Sequence, residues 1–276
     1  MRGRFRYVLG DSRREAARLR AQAQLWYPTA LALFDRMGVR RGWKVLEVGP
    51  GQGSLHLELR KRINGPVDAV ERSAVFAARL KSLCARDGLG PGTIWESELR
   101  DAPLPKSHYD LVFARWVFLF LPAPEAHLRR LVRALKPGGL LALEEYHRET
   151  WTLIPRPPDW GDFLAVDRAF FACEGGDVSV GGRLPGLYRR AGLTVVETFP
   201  VIKTGSPGTP VWNWLSSYFM SVAGRYAAIP PFTRQRVARL RRRWLAASRD
   251  RTSLMIAPAV LDVVGRKPLL RSRPPR

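Results

Sequence analysis

The chain has 276 residues, which is enough for one large domain or for one domain with a lid. Hydrophobic residues make up 46% and charged residues 25%, values that are ordinary for a globular protein and exclude wholesale disorder or a fibrous repeat. The formal net charge is +22, and the only two cysteines, Cys84 and Cys173, exclude a disulfide framework and a cysteine-rich zinc site.

Strands and helices alternate through the first half of the chain. Short apolar runs predict strands at 44–48, 67–70, 93–95, 110–114 and 140–143. Between them, the spacing of apolar residues and the Gly/Pro stops predict helices at 54–63, 74–85 and 125–135. This alternation predicts an α/β, doubly wound, mostly parallel sheet with helices on both faces.

The two flanks of this region follow a different pattern. Residues 11–37 predict a helix that Pro28 breaks or kinks, and residues 146–182, rich in Trp, Pro and Gly, predict a loop or lid. Further on we expect a helix at 184–191, a strand at 193–197, mostly helix at 211–252 and a final strand at 255–264. The predicted division is a helical cap (1–41), a core (42–204), a helical lid (205–254), and a last strand with a basic tail (255–276).

The stretch Val45-Leu-Glu-Val-Gly-Pro-Gly-Gln-Gly53 places three glycines at a strand-to-helix turn. Glycine permits positive φ and close approach of a ligand to the backbone, and the following helix offers free N–H groups. The spacing is not the G-x-G-x-x-G of a dinucleotide site. Glu47, inside the strand, would be unfavourable beside a pyrophosphate but suits a ligand that carries an ammonium group.

This stretch resembles the class I S-adenosylmethionine-dependent methyltransferases, and the resemblance extends over about residues 43–265. It implies a Rossmann-like seven-stranded fold with S-adenosylmethionine as the cofactor. Glu71 ends the second strand, where the family has an acidic residue for the ribose hydroxyls. Glu98 stands at the position for the adenine amino group, although the family more commonly has Asp there, and Leu99 would offer a backbone N–H to the ring. Lys136-Pro-Gly-Gly139 matches the family's turn before strand five. The cofactor contacts implied in this region are Glu47, Gly49, Pro50, Gly51, Gly53, Glu71, Arg72, Glu98 and Leu99.

A narrower group of bacterial and fungal small-molecule methyltransferases is also similar. The shared features are Tyr7-Val-Leu-Gly10, Arg18-Leu19 with Gln22, Ala114-Arg115, and Glu145, although Ala114 and Glu144 replace the group's usual Gly and Gln. In that group the amino-terminal helix closes over the cofactor. The likeness therefore implies cofactor contacts from Tyr7, Gln22 and Arg115, with Arg115 paired to the methionine carboxylate. The alternative to a cofactor contact is plain packing for Tyr7 and Gln22. For Arg115 the alternative is a side chain that faces solvent.

Methyl transfer from a sulfonium is an in-line displacement, so the enzyme mainly holds the reactants in line. A general base is needed only if the acceptor must lose a proton. His147 follows strand five at the carboxyl edge of the sheet, where ligands bind in open α/β folds, and is the candidate base. The alternative is that His147 is a plain loop residue.

Aromatic residues cluster in sequence near the expected acceptor site. The candidate acceptor contacts are Trp116, Tyr146, Trp151, Trp160 and Tyr218, and an aromatic pocket suits a hydrophobic or planar acceptor. The alternative is that Trp212, Trp214 and Tyr218 form the core stripe of a lid helix. We therefore expect a methyltransferase acting on a small hydrophobic or aromatic acceptor in secondary metabolism.

The positive charge lies at the two ends of the chain. Residues 1–41 contain ten Lys/Arg against three Asp/Glu, and residues 231–276 contain thirteen against two. Such ends favour either a solvated basic surface or an anionic partner, so a prenyl diphosphate or nucleic acid is an alternative substrate. A third hypothesis is a cofactor-binding relative that transfers no methyl group. The motifs of DNA adenine and cytosine methyltransferases are absent, and we do not expect nucleic acid as the substrate.

No segment of the sequence reaches the roughly 20 apolar residues of a membrane span. The basic amino terminus lacks an apolar h-region, so we expect a cytoplasmic protein. No metal-ligand spacing is present, and nothing in the sequence supports or excludes a homodimer.

Overall fold

The computed structural model describes the backbone of residues 13–269 and the side chains of residues 21–269. The helices within that range are α1 (Arg13–Arg36), α2 (Ser54–Ile63), α3 (Ala74–Cys84), α4 (Pro124–Ala134), α5 (Trp160–Ala172), α6 (Val180–Arg190), α7 (Pro210–Tyr226) and α8 (Arg234–Ala247). The strands are β1 (Val45–Val48), β2 (Asp68–Glu71), β3 (Ile94–Glu96), β4 (Tyr109–Arg115), β5 (Leu135–His147), β6 (Thr152–Ile154), β7 (Thr194–Val201), β8 (Thr204–Gly205), β9 (Leu254–Ile256) and β10 (Ala259–Arg266).

Seven of these strands form the main sheet, in the order β3-β2-β1-β4-β5-β10-β7. The strands from β3 to β5 pair in parallel, whereas β10 is antiparallel to both of its neighbours, β5 and β7. The predicted Rossmann-like methyltransferase fold is confirmed. Because β1, β2, β4 and β5 run in the same direction, their carboxyl ends meet at one edge, where ligands bind in such sheets.

Alternation along the strands divides the core between the two faces of the sheet. Val45, Leu111 and Phe113 pack on the face covered by α1 and α2, while Leu46 and Val112 belong to the cluster on the opposite face, which includes α4 and α6. The same alternation places Glu47, Arg115, Glu144 and Tyr146 on the α1 face, and Glu145 and His147 on the α6 face.

Two predictions for the second half are wrong. Residues 146–182 are not a continuous loop, because they contain β6, the helix α5 and the first residues of α6. The buried positions of α5 (Trp160, Phe163, Val166, Asp167, Phe170 and Phe171) recur every three or four residues, so the helix is stabilised by core packing.

The predicted strand at 255–264 is two strands in two different sheets. β9 lies at the centre of a small antiparallel sheet in the order β6-β9-β8, and β10 joins the main sheet after Pro258. Smaller differences occur elsewhere: α1 is continuous through Pro28, and β5 begins at Leu135, so that it includes Lys136-Pro-Gly-Gly139. The register between β4 and β5 shifts at this point.

Candidate functional site

The glycine loop connects β1 to α2 at the carboxyl edge of the sheet. Gly49, Gly51 and Gly53 have φ values of 68°, 53° and 83°, in the left-handed region that favours glycine. A Cβ atom on Gly49 would lie 2.6 Å from Cγ2 of Val117, whereas one on Gly51 would meet nothing within 4 Å. The loop therefore packs closely against the segment after β4 at Gly49 and leaves open space beside Gly51. Pro50 turns the loop by accepting a hydrogen bond from the Gly53 N–H at 2.9 Å.

Glu71 ends β2 directly beside this loop. Its Oε2 accepts a hydrogen bond from the Gly51 N–H at 3.1 Å, and its Oε1 accepts one from the Ser73 N–H at 2.8 Å. Burial raises the pKa of Glu71, while these two N–H groups act in the opposite direction. The carboxyl group is thus held in place next to the open side of the loop.

Arg72, Glu98 and Leu99 lie near Glu71. The Ser97 N–H donates to the Glu71 carbonyl at 3.2 Å, which brings the segment after β3 to the end of β2. Arg72 Nη1 lies 4.0 Å from Glu98 Oε1, and both side chains are about one-third exposed, whereas Leu99 is buried. The carboxyl group of Glu98 is therefore accessible from solvent.

Glu47 has a protein partner that the sequence did not suggest. Its Oε2 lies 3.0 Å from Nδ1 of His56 on α2, and both side chains are buried. Burial opposes protonation of His56, but hydrogen bonds and charge from Cys84 and Glu47 outweigh it and raise the pKa of His56 to about 9. A protonated His56 balances the charge of Glu47, and a ligand contact by Glu47 remains a prediction.

Arg115 ends β4 on the α1 face. Its guanidinium group lies 4.0 Å above the ring of Trp116, and its Nε is 3.6 Å from Glu144 Oε2. Nε and Nη2 of Arg115 are buried and make no hydrogen bond within residues 21–269. Two donors of a buried cation therefore remain for a ligand, since buried donors are normally paired.

Glu145 holds the segment that follows Arg115. Its carboxyl group accepts hydrogen bonds from the N–H groups of Val117, Phe118 and Leu119, at 2.8, 2.6 and 3.3 Å. Burial raises the pKa of Glu145 to about 8, against the effect of these donors. The preceding residue, Trp116, has a φ of 52°, so its ring leaves the strand end in a direction that ordinary β backbone would not allow.

Four aromatic rings from distant parts of the chain meet above this segment. We call Trp26, Trp116, Tyr146 and Trp214 the aromatic wall. Trp116 stacks on Tyr146 with ring centroids 5.2 Å apart, and Trp26 contacts the rings of both Trp116 and Trp214 edge-on, at 5.9 and 5.7 Å. Gln22 links the wall by donating to Tyr146 Oη at 3.4 Å and accepting from Trp214 Nε1 at 3.3 Å. The wall is thus formed by α1, the residue that follows β4, β5 and α7.

The other predicted acceptor contacts lie elsewhere. Trp151 and Trp160 are 1% and 3% exposed and pack with Phe163, Phe219 and Trp244, a set that we call the inner cluster. The Trp151 N–H donates to the sulfur of Met255 at 3.0 Å, and the Trp160 N–H donates to the Trp151 carbonyl at 2.9 Å. Both residues therefore belong to a packed core in this structure.

Tyr218 lies in a buried polar network. Its hydroxyl group donates to Asp167 Oδ1 at 2.6 Å and accepts from Arg148 Nη1 at 2.7 Å. The Tyr226 hydroxyl donates to the same Asp167 oxygen at 2.8 Å. These contacts join the residue that follows β5 to α5 and α7, so they explain Tyr218 without a ligand.

His147 is on the face of the sheet opposite to the aromatic wall. A Cβ atom on Gly182 of α6 would lie 2.8 Å from the His147 Nδ1, which shows that the imidazole packs against that helix. Its predecessor Tyr146 is in the wall. Tyr7 lies outside the described residues, so its predicted role remains a prediction.

The site geometry suits S-adenosylmethionine. The site has a loop with one open glycine, a fixed carboxyl group beside it, an accessible second carboxyl group and a buried guanidinium with unpaired donors. These are the kinds of hydrogen-bond partner that the hydroxyl and carboxylate groups of an amino-acid nucleoside need. Residues 46–143 match the family model described as a methyltransferase domain. The stretch that holds the glycine loop, Glu71 and Arg115 is thus similar to the methyltransferase domain family.

Curated proteins similar to this chain include the ubiquinone/menaquinone biosynthesis C-methyltransferases of Laribacter hongkongensis and Pseudomonas putida strain F1. The first is 32% identical over 133 residues, which cover 47% of this chain and 53% of that relative. The second is 29% identical over 140 residues, covering 49% and 54%. The chain therefore spans about half the length of the curated relatives that it matches.

Two solved structures show the same fold. A methyltransferase-like protein of Bacillus halodurans aligns with a TM-score of 0.63 and 16% identity, over 87% of this chain and 99% of that one. The [4+2]-cyclase SpnF aligns with a TM-score of 0.55 and 18% identity, over 95% and 85%. At these identities the likeness concerns the fold of the methyltransferase domain alone.

Sequence reasoning missed two residues of this site. Trp26 is one helical turn after Gln22 on α1, and that spacing of four was the available signal. Lys203, between β7 and β8, has its Nζ 5.1 Å from the centroid of the Trp26 ring and carries no local motif. Among the described residues, no group of three or more His, Cys, Asp and Glu side chains is arranged to hold a metal ion, and no helix is both long and apolar enough to cross a membrane.

Proposed function

We propose that this protein transfers the methyl group of S-adenosylmethionine to a small, planar, hydrophobic acceptor bound at the aromatic wall. The observation that carries the proposal is the position of that wall. Trp116 directly follows Arg115, and the loop at Val117 contacts Gly49, so the wall adjoins the glycine loop. Cofactor and acceptor would thus lie next to each other.

The cofactor supplies a methyl group on a positively charged sulfur, which needs no further activation. For the chain's own residues we propose that Glu71 accepts hydrogen bonds from the ribose hydroxyls, and that Glu98 and the Leu99 N–H hold the adenine. Arg115 would pair with the methionine carboxylate through its two unpaired donors. The remaining residues position the reactants and exclude water.

The helices α1 and α7 cover the wall. Trp26 of α1 is fully buried and Trp214 of α7 is 5% exposed, so these two rings are shielded from bulk water. We propose residues 1–41 as a cap and residues 205–254 as a lid, which would open for acceptor entry and close for transfer.

The chemistry of the wall favours a flat aromatic acceptor, because stacked rings 5.2 Å apart complement planar groups. The curated relatives are named as C-methyltransferases of ubiquinone and menaquinone biosynthesis. Hydroquinones have planar rings, which the wall could stack against. We therefore propose hydroquinones as the first acceptor class to test, with phenolic secondary metabolites as the second.

The decisive experiment uses S-adenosylmethionine labelled in its methyl group, incubated with hydroquinones and phenols. Label should appear in an organic product and its formation should fall about tenfold or more in Trp116→Leu, which removes the stacking ring. Trp95→Leu, a partly buried tryptophan on β3, is the matched control and should keep its rate. Absence of label from every product, with cofactor binding intact, would contradict the proposed reaction.

The same assay tests a second candidate function. SpnF shows that this fold also accommodates a cyclase, and the predicted base His147 lies away from the wall. If the cofactor binds but no acceptor is labelled, a non-methylating role for the bound cofactor becomes the better explanation.

A further inference from the structure

Lys203 occupies an unusual place for a lysine. It lies between the end of β7 and the start of β8, and its carbonyl accepts a hydrogen bond from the Ala257 N–H at 2.8 Å, which fixes the backbone. Its ammonium group lies 5.1 Å from the centroid of the Trp26 ring, at the aromatic wall. Only part of the side chain is exposed.

The charge of Lys203 is not balanced locally. Within residues 21–269, its ammonium group makes no ion pair with a carboxylate, and burial, together with the nearby Arg115 charge, lowers its pKa. Two cations therefore contact rings of the wall, Arg115 at Trp116 and Lys203 at Trp26. Glu144 Oε2 lies 3.6 Å from Arg115 Nε, and no carboxyl oxygen of Glu144 is within ion-pair distance of Lys203.

Neutral donors add to this excess. The indole N–H groups of Trp26 and Trp116 are buried and have no hydrogen-bond acceptor within residues 21–269. The same is true of two nitrogen atoms of Arg115, Nε and Nη2. Leaving such donors unpaired costs about 1–3 kcal/mol each. The site thus combines apolar ring faces with hydrogen-bond donors and positive charge that the protein itself does not satisfy.

We propose that Lys203 forms an anion subsite for the acceptor, which binds as a planar ring bearing a negatively charged oxygen, a phenolate or an enolate. This inference rests on the proposed function and specifies its substrate class. Arg115 serves the cofactor carboxylate, and Lys203, on the cap side of the wall, serves the acceptor oxygen. A cation near the oxygen stabilises the ionised form, which is the better nucleophile at oxygen and at the ring carbons.

The test uses 4-nitrophenol, whose ionised form is yellow and whose pKa is near neutrality. It is titrated with the protein at mildly acidic pH in the presence of saturating S-adenosylhomocysteine. The wild-type protein should increase the absorbance of the phenolate, with a lowering of the ligand's pKa by about one unit. Lys203→Met should lose this change and bind 4-nitrophenol about tenfold more weakly, whereas Lys203→Arg should retain it.

Two controls separate charge from packing. Lys106→Met removes an exposed lysine and should behave as the wild type. The methyl ether 4-nitroanisole, which cannot ionise, should bind equally to the wild type and to Lys203→Met. The proposal would be overturned if the wild type and Lys203→Met gave equal phenolate signals. It would also be overturned if Lys203→Met lost 4-nitroanisole binding to the same extent as 4-nitrophenol binding.

Calorimetry with S-adenosylhomocysteine keeps the two proposals apart. Normal cofactor binding with no Lys203-dependent signal would refute the anion subsite alone, whereas failure of the wild type to bind the cofactor would refute the proposed function. A phenolate signal that is present without S-adenosylhomocysteine and lost with it would assign Lys203 to the cofactor carboxylate, and would also overturn the acceptor subsite.

Discussion

The aromatic wall and the inner cluster are both built from buried or half-buried aromatic rings, but their polar atoms differ. In the inner cluster the indole N–H groups of Trp151, Trp160 and Trp244 all have acceptors: Met255, the Trp151 carbonyl and Ser216. In the wall, the indole N–H groups of Trp26 and Trp116 have none within the described range. Satisfied donors are typical of a core, and unsatisfied donors beside a cation are typical of a ligand site. Trp214 is the one wall indole with an acceptor, Gln22, so the two regions differ in two of three indole N–H groups although both are aromatic.

The largest expected effect is on stability, in the inner cluster. Trp151→Ala should lower the free energy of unfolding by about 3–5 kcal/mol, because it removes a ring that is packed against Trp160, Phe163 and Trp244. Denaturant unfolding measures this change. A decrease in the free energy of unfolding below about 1 kcal/mol would show that the inner cluster is not a tightly packed core.

The next effect is on cofactor binding at the glycine loop. Gly49→Ala should weaken S-adenosylhomocysteine binding about tenfold or more, since the new Cβ would lie 2.6 Å from Val117 and must displace the loop. Gly42→Ala is the matched control, because Gly42 also has positive φ (81°) but nothing within 4 Å of its Cβ. Equal calorimetric affinities for the two variants would remove the loop from the cofactor site.

A smaller effect concerns pH and the carboxyl groups beneath the wall. Burial raises the pKa of Glu144 and of Asp262 above their unfolded values, so their protonated forms are favoured on folding. This contribution is full at acidic pH and is lost as the pH rises through the folded-state pKa values. We expect a lower melting temperature at pH 9 than at pH 6.

Glu144→Gln should reduce that difference, by about 1–2 kcal/mol in unfolding free energy. Its amide cannot ionise, although Arg115 then loses a charged neighbour. Glu96→Gln, at an exposed position on β3, is the control and should follow the wild-type pH profile. If the dependence of stability on pH were the same in Glu144→Gln as in the wild type, groups other than Glu144 would be its cause.

The smallest expected effect is at His147. A general base contributes roughly 100-fold or more to a rate, whereas His147→Gln should change the rate of methyl transfer by less than about threefold. The reason is that the imidazole packs against Gly182 on the opposite face. Steady-state kinetics across pH 6–9 would decide, and a rate loss of two orders of magnitude would restore His147 as the base.

The glycine loop and the carboxyl group beside it could be predicted as structural features because their signals are local. The loop at Gly49–Gly53 and the strand that ends at Glu71 each show their pattern within a few residues. Trp116 and Tyr146 were candidate acceptor contacts, but their assembly with Trp26 and Trp214 could not be predicted. Gln22 and Trp214 are 192 positions apart and meet only through the packing of α1 on α7. Trp151 and Trp160 were assigned to the acceptor for the same reason: composition marks an aromatic residue but not its neighbours.

The left-handed backbone at Trp116 affects how readily the acceptor range could be changed. A φ of 52° costs a non-glycine residue about 1–2 kcal/mol, so glycine is the residue that this turn accommodates best. Trp116→Gly would remove a large ring and relieve the backbone strain. Trp116→Ala would also remove the ring, but the backbone strain would remain. Position 116 is therefore one where the site could be enlarged for bulkier acceptors at little expense to the fold.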